Sequence, residues 1–246
     1  MMRQPNPVKR TVCVGLPIVL ALAAAAASGA AAQPAPQDRI PFAETKIIIE
    51  LNATDLDAGI QVFLDGEGWE RVKVFRPDGG KIMDITAQRA VRHVGVTELF
   101  FESAEPSLED LPLEDLLAMF PEGDYQFEGR TVQGDTLFGT AGLTHAIPSG
   151  PVVTSPDPDV PTDPGSTVVA WEPVTDPPGI EIAGYQVIVE LEDPLRVFSV
   201  DLPATATSLT VSPEFLAPGT HYMFEVLAIS DGGNQTITEG EFDTAA

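Results

Sequence analysis

The chain has 246 residues, with 37 Asp and Glu against 13 Lys and Arg, a formal charge of −24. So acidic a chain disfavours nucleic acid and anionic membranes as partners, because binding to either depends on cationic side chains that neutralise phosphates. Its one cysteine, Cys13, lies in the N-terminal apolar run.

Residues 1–32 read as a secretory signal peptide. Arg3, Lys9 and Arg10 precede an uncharged apolar run from Thr11 to Ala27, and the segment closes on the small residues Ala30-Ala31-Ala32 before Gln33. A membrane anchor is the rival reading, which the small-residue exit and the polar, Pro-containing stretch Gln33 to Gln37 disfavour. Cys13 sits inside the apolar run, where it is a poor lipid acceptor, and would leave with the signal. Cleavage leaves 214 residues without cysteine, carrying 10 basic against 37 acidic side chains, a net charge near −27. Disulfides are then excluded, and stability rests on the apolar core, with calcium as a conceivable helper. The expected location is the periplasm or the medium; no sorting tail follows Phe242, so a stable membrane anchor after cleavage is not expected.

The mature length suits two domains of about 100 residues each. We expect a flexible segment over 33–44, a β-rich domain over 45–147, a Pro-rich linker over 148–165, and a second domain over 166–246 to which the linker supplies a candidate first strand. Pro148, Pro151, Pro156, Pro158, Pro161 and Pro164 mark the linker, whose composition favours extended backbone.

The N-terminal domain opens with Ile47-Ile48-Ile49-Glu50-Leu51, followed by alternation over Gly59 to Asp65. A hairpin comes next, with Arg71 to Arg76 and Lys81 to Thr86 flanking Pro77-Asp78-Gly79-Gly80. A second places Tyr125 to Val132 and Thr136 to Thr144 around Gln133-Gly134-Asp135. Between them Leu113, Leu116, Leu117 and Phe120 fall at i, i+3, i+4 and i+7, the face of one short helix packed on the sheet. Ser107 or Asp110 would cap it, and Pro121 with Gly123 would stop it.

Beyond the linker lie six strand-like runs in succession: Ser166 to Trp171, Ile182 to Leu191, Arg196 to Leu202, Thr207 to Val211, His221 to Ile229 and Gln235 to Phe242, with Val152 to Ser155 a seventh. Their number and spacing are those of a small β-sandwich. In Tyr222, Phe224, Val226 and Ala228 alternation picks out a core face. The motifs Val169-Ala170-Trp171-Glu172-Pro173, Gly184-Tyr185-Gln186-Val187 and Leu216-Ala217-Pro218-Gly219-Thr220-His221-Tyr222 resemble the fibronectin type III family, from Pro151 to the C-terminus. The resemblance implies that Tyr222 forms the corner whose hydroxyl bonds back to backbone, and that Trp171 and Tyr185 are core aromatics. The expected fold class is thus mainly β, a C-terminal fibronectin type III (immunoglobulin-like) sandwich beside an N-terminal β-rich domain with one short helix. The wording from Glu50 to Trp69, with Glu98 to Pro106 and His145 to Pro148, resembles exported bacterial proteins that pair such a domain with fibronectin type III. That second resemblance brings no activity with it.

Asn52, Asp55, Asp57 and Asp65 around Gly59 form the densest polar group, and Asp55, Asp57 and Asp65 are the candidate calcium ligands. The register departs from an EF-hand, since glycine stands two residues after Asp57, and an Asx-rich turn is the plainer reading. Glu98 with Glu102, or Glu102 with Glu105, offers the paired carboxylates of glycoside hydrolysis, a weak signal in so acidic a chain. His93, His145 and His221 have no second histidine or cysteine at zinc-ligand spacing. No Gly-x-Ser-x-Gly elbow, phosphate-cradling loop or Arg-Gly-Asp tripeptide occurs. We therefore expect no catalytic residues and no obligatory cofactor. The leading expectation is a non-enzymatic extracellular binding, adhesion or scaffold protein whose partner is a protein or a polysaccharide. A small carbohydrate-active enzyme with a fibronectin spacer and a calcium-dependent surface or matrix component are the alternatives.

Overall fold

The computed structural model describes residues 38–246; the signal-peptide reading of residues 1–32 lies outside them. The N-terminal module begins with β1 (Arg39–Pro41) and β2 (Glu44–Asn52). The segment 33–44, expected to be flexible, thus holds a strand that pairs in parallel with β7 (Thr136–Leu143), and Phe42 is buried in the core beside it. An apolar ring that close to the start of the fold ties the chain down.

The runs Gly59 to Asp65 and Arg71 to Arg76 belong to one 19-residue strand, β3 (Asp57–Phe75), which changes neighbours at Gly66–Gly68. Its first part pairs with β2 on one side and β5 (Val96–Glu102) on the other; its second part pairs with β4 (Lys81–Thr86) and β6 (Gly123–Thr131). Strand β6 then pairs with β7. Alternation along β2 and β3 sends Ile47, Ile49, Ala58, Ile60, Val62 and Leu64 into a core closed by Trp69, Tyr125, Phe127 and Leu137.

The expected helix is α2 (Leu113–Met119); Leu116 is buried and Leu113, Leu117 and Phe120 pack against the core. Neither proposed cap forms. The N-cap position is Pro112, and Ser107 instead accepts the Glu109 N–H through its hydroxyl at 3.2 Å. A second helix, α1 (Arg89–Val94), was not expected; none of its residues is buried, so it carries no apolar periodicity to read.

The C-terminal module comprises β8 (Val153–Ser155), β9 (Val168–Trp171), β10 (Ile182–Leu191), β11 (Arg196–Pro203), β12 (Ser208–Thr210), β13 (His221–Ser230) and β14 (Gln235–Asp243). Two sheets, β12-β9-β8 and β11-β10-β13-β14, enclose a separate core around Trp171, Tyr185, Val187, Tyr222, Phe224 and Val226. Tyr222 is wholly buried; its hydroxyl accepts the Ala217 N–H at 2.8 Å and lies 3.5 Å from the Phe215 carbonyl, the expected corner. Trp171 and Tyr185 meet at 5.3 Å between ring centroids, and the Tyr185 hydroxyl accepts the Val174 N–H at 2.9 Å.

The two modules share a sheet. Strand β14 pairs in parallel with β2 through Gln235↔Glu50, Thr236↔Leu51 and Ile237↔Asn52, which makes β5-β3-β2-β14-β13-β10-β11 continuous. Asn234, at the turn before β14, is completely buried. Its Oδ1 accepts the Ile49 N–H at 2.9 Å, and its Nδ2 donates to the Thr144 and Ala146 carbonyls at 2.8 and 3.0 Å. The Thr236 hydroxyl donates to the Pro148 carbonyl at 2.5 Å, so the chain leaving the N-terminal module is fastened at Asn234 and Thr236, where β14 begins.

Candidate functional site

Because side chains alternate, the face of the shared sheet opposite the two cores is set by register. Strand β5 contributes Glu98, Phe100 and Glu102; β3 contributes Gln61, Phe63 and Asp65; β2 contributes Lys46, Ile48 and Glu50. Across the joint the face continues through Gln235, Ile237 and Glu239 of β14, Glu225 and Leu227 of β13, and Gln186, Ile188 and Glu190 of β10. Seven strands at the usual spacing make a surface about 29 Å across.

At its N-terminal end the face is apolar. Phe100 is 56 % exposed, and with Ile48, Phe63, Gln61, Lys46 and Glu44 it lines a shallow concavity of about 320 Å³. The Lys46 ammonium lies 5.8 Å from the Phe63 ring centroid, so a cation already rests on part of the aromatic surface.

At the joint the face turns acidic. Carboxylate oxygens of Glu50, Glu102 and Glu105 all lie within 4.8 Å of one another. Glu50 is only 7 % exposed and accepts a hydrogen bond from the Gln235 amide across the joint. Opposite Glu50 in register stands Gly59, where a Cβ would come 2.8 Å from Glu105 Cγ, so the missing side chain makes room for Glu105. Burial raises the pKa of Glu50, opposed by the Gln235 hydrogen bond and reinforced by the Glu102 charge. Glu105 is pushed up to about 7 by burial and then by the charges of Glu50, Glu102 and Asp57. Glu225 is raised by burial, Glu239, Glu190 and Glu105. Three carboxylates this close can share a proton, or offer hard oxygen ligands to one cation such as calcium.

The sequence candidates are distributed unevenly over this surface. Glu102 and Glu105 come together, while Glu98 lies on the same strand face but pairs in register with Asp65. Asp55 lies in the turn before β3 and Asp57 opens the strand, where burial and the Asp55 charge raise its pKa. Asp65 lies eight residues further along the strand, about 26 Å away at the usual rise, so Asp55, Asp57 and Asp65 do not converge on one ion. Asn52 Oδ1 accepts the Thr54 and Asp55 N–H groups at 2.9 and 3.1 Å, forming the Asx turn. His221 is exposed, with Nδ1 3.0 Å from Asp243; His145 Nε2 lies 2.9 Å from the Phe120 carbonyl. Glu50 escaped the sequence reading, although a carboxylate inside Ile47-Ile48-Ile49-Glu50-Leu51 was the signal available.

The family model of the fibronectin type III domain matches residues 157–241. Among solved structures, the fn3 domain of the human collagen alpha-1(XX) chain is 25% identical, covering 40% of this chain and 84% of that one, with a TM-score of 0.30. A two-domain fibronectin type III segment from chicken tenascin is 12% identical over 82% of this chain and 99% of that one, TM-score 0.31. The chicken CNTN1 FN1-FN3 domains are 15% identical over 85% of this chain and 65% of that one, TM-score 0.32. No curated protein matches the chain.

Proposed function

We propose that this chain, whose C-terminal module is a fibronectin type III domain, is an exported, non-enzymatic binding or scaffold protein that presents the outer face of its shared sheet to an extracellular protein or polysaccharide. The observation that carries the reading is the β2–β14 pairing, which aligns the apolar concavity at Ile48, Phe63 and Phe100 and the acidic surface of the sandwich on one side of one sheet. Two modules joined by a flexible tether would offer two separate surfaces; here they offer one. Export is part of the proposal and rests on the charged, apolar and small-residue succession of residues 1–32.

The test is binding of the mature protein to immobilised extracellular proteins and polysaccharides, compared with Phe100→Ser and Ile48→Ser. The expected result is saturable binding that both substitutions weaken at least tenfold while the melting temperature stays near wild type. Binding unchanged in both variants would sink the assignment of this face. A second reading, glycoside hydrolysis, is favoured by the approach of Glu102 and Glu105 with Glu50, two acids across a sugar bond being what that chemistry needs. Turnover in a glycosidase panel, abolished by Glu105→Gln, would select it over the first.

A further inference from the structure

We propose that the open edge of β5 takes an extended, cationic segment of a partner protein as an added antiparallel strand; the inference rests on the binding role of the outer face and names the class of partner. Strand β5 pairs with β3 and, among the described residues, with no strand on its other side. The Ser103 N–H donates to the Ile60 carbonyl at 2.9 Å, which fixes the direction of the backbone groups that precede it. Counting back in register, Phe101 opposite Val62 and Leu99 opposite Leu64 bond inward to β3. Glu98, Phe100 and Glu102 therefore turn three N–H and three carbonyl groups outward, and no described residue bonds them.

An edge of this kind is ordinarily blunted by a cationic side chain, a proline or a bulge. The other edge strands of the same sheet follow that rule: β1 has Arg39 and Pro41, β4 has Lys81, and β11 has Arg196 and Pro203. Strand β5 has no Lys, Arg, Pro or Gly, and its register with β3 is unbroken from Glu98 to Glu102. Phe100 is 56 % exposed on one face and Phe101 40 % on the other, so both sides of the edge offer aromatic surface to an incoming strand.

Charge selects the occupant. Glu98 and Glu102 flank Phe100 on the outer face, and among the described residues neither is in an ion pair. A second copy of this chain fits poorly. Pairing β5 with itself antiparallel about Phe100 sets Glu98 against Glu102 twice, and parallel pairing in register sets each against its own copy. A polysaccharide has no row of amides with which to complete the edge. A strand with two lysines or arginines four residues apart and an apolar residue midway meets Glu98, Phe100 and Glu102 at once while its backbone satisfies theirs.

The test is titration of the mature protein with the end-blocked peptide Thr-Lys-Val-Val-Val-Lys-Thr, which, centred on Phe100, sets its lysines opposite Glu98 and Glu102. The expected result is saturable binding with a Kd below about 1 mM. N-methylation of both lysine amides and the middle valine amide removes the donors that face β5 and should weaken binding about a hundredfold. Methylation of the two flanking valine amides, on the far edge, should change it less than about threefold. Glutamates in place of the lysines should weaken binding about tenfold, and the double variant Glu98→Lys, Glu102→Lys should reverse that preference. The methylated peptides need no altered protein and decide the matter if the double variant fails to fold. Absence of binding, equal weakening by methylation of either edge, or a preference unmoved by the charge swap overturns strand addition. A dimer of the chain that Phe100→Ser dissociates puts a second copy on the edge and overturns it as well. A polysaccharide held through the outer face, with no peptide bound, also overturns it but leaves that face standing as a binding surface.

Discussion

Asn234→Ala removes a side chain that ties the turn before β14 to the N-terminal module. Its amide accepts from Ile49 and donates to the Thr144 and Ala146 carbonyls, at 2.8 to 3.0 Å, from a position with no solvent exposure. A net contribution near 1 kcal/mol per bond, with the three backbone partners left without their mate, gives a loss of about 3 kcal/mol. The assay is urea denaturation followed by tryptophan fluorescence. Trp69 lies in the N-terminal core and Trp171 in the sandwich core, so Trp69→Phe and Trp171→Phe versions report the two modules separately. If the shared sheet makes one cooperative unit, both transitions move together to lower urea. A shift below about 0.5 kcal/mol, or separate transitions already in the parent protein, refutes the reasoning. Asn234→Asp keeps the acceptor but sets a carboxylate against two carbonyl oxygens, and should cost more than alanine.

Tyr222→Phe deletes the corner hydroxyl and leaves the Ala217 N–H without its acceptor; it should cost about 1.5 kcal/mol by chemical denaturation, with the slope unchanged. Gly240→Ala would place a Cβ 2.4 Å from Phe224 Cζ, and since that ring sits in the sandwich core the substitution should cost about 1–3 kcal/mol in the same assay. Leu56 holds φ at 57° in the turn before β3 with its side chain 58 % exposed, so Leu56→Gly should gain up to about 1 kcal/mol in melting experiments.

The sandwich was legible because its strands carry strong alternation and its corner carries an unusual run of residues, Leu216 to Tyr222. Local signals of that kind also placed both N-terminal hairpins and the face of α2. What stayed hidden is non-local. Alternation tells which side of a strand faces a core but not which strand lies beside it, so nothing near Glu50 announced Gln235, 185 residues on. Asn234 reads as an ordinary turn residue after two glycines, and only the fold shows it buried. The carboxylate cluster was half visible, in Glu102 and Glu105, because those two are close in sequence; Glu50 joins them through strand pairing.

The shared sheet also has a consequence in time. The edge of β2 that meets β14 is synthesised some 185 residues before its partner, an interval of about 10–40 s at ordinary elongation rates. Until then a strand containing Ile47, Ile48 and Ile49 waits with one edge open, the kind of edge on which chains aggregate. A nascent chain stalled before Gln235 would therefore be a hazard rather than a half-finished success, and the charges of Glu44, Lys46 and Glu50 on that strand are its built-in protection during the wait.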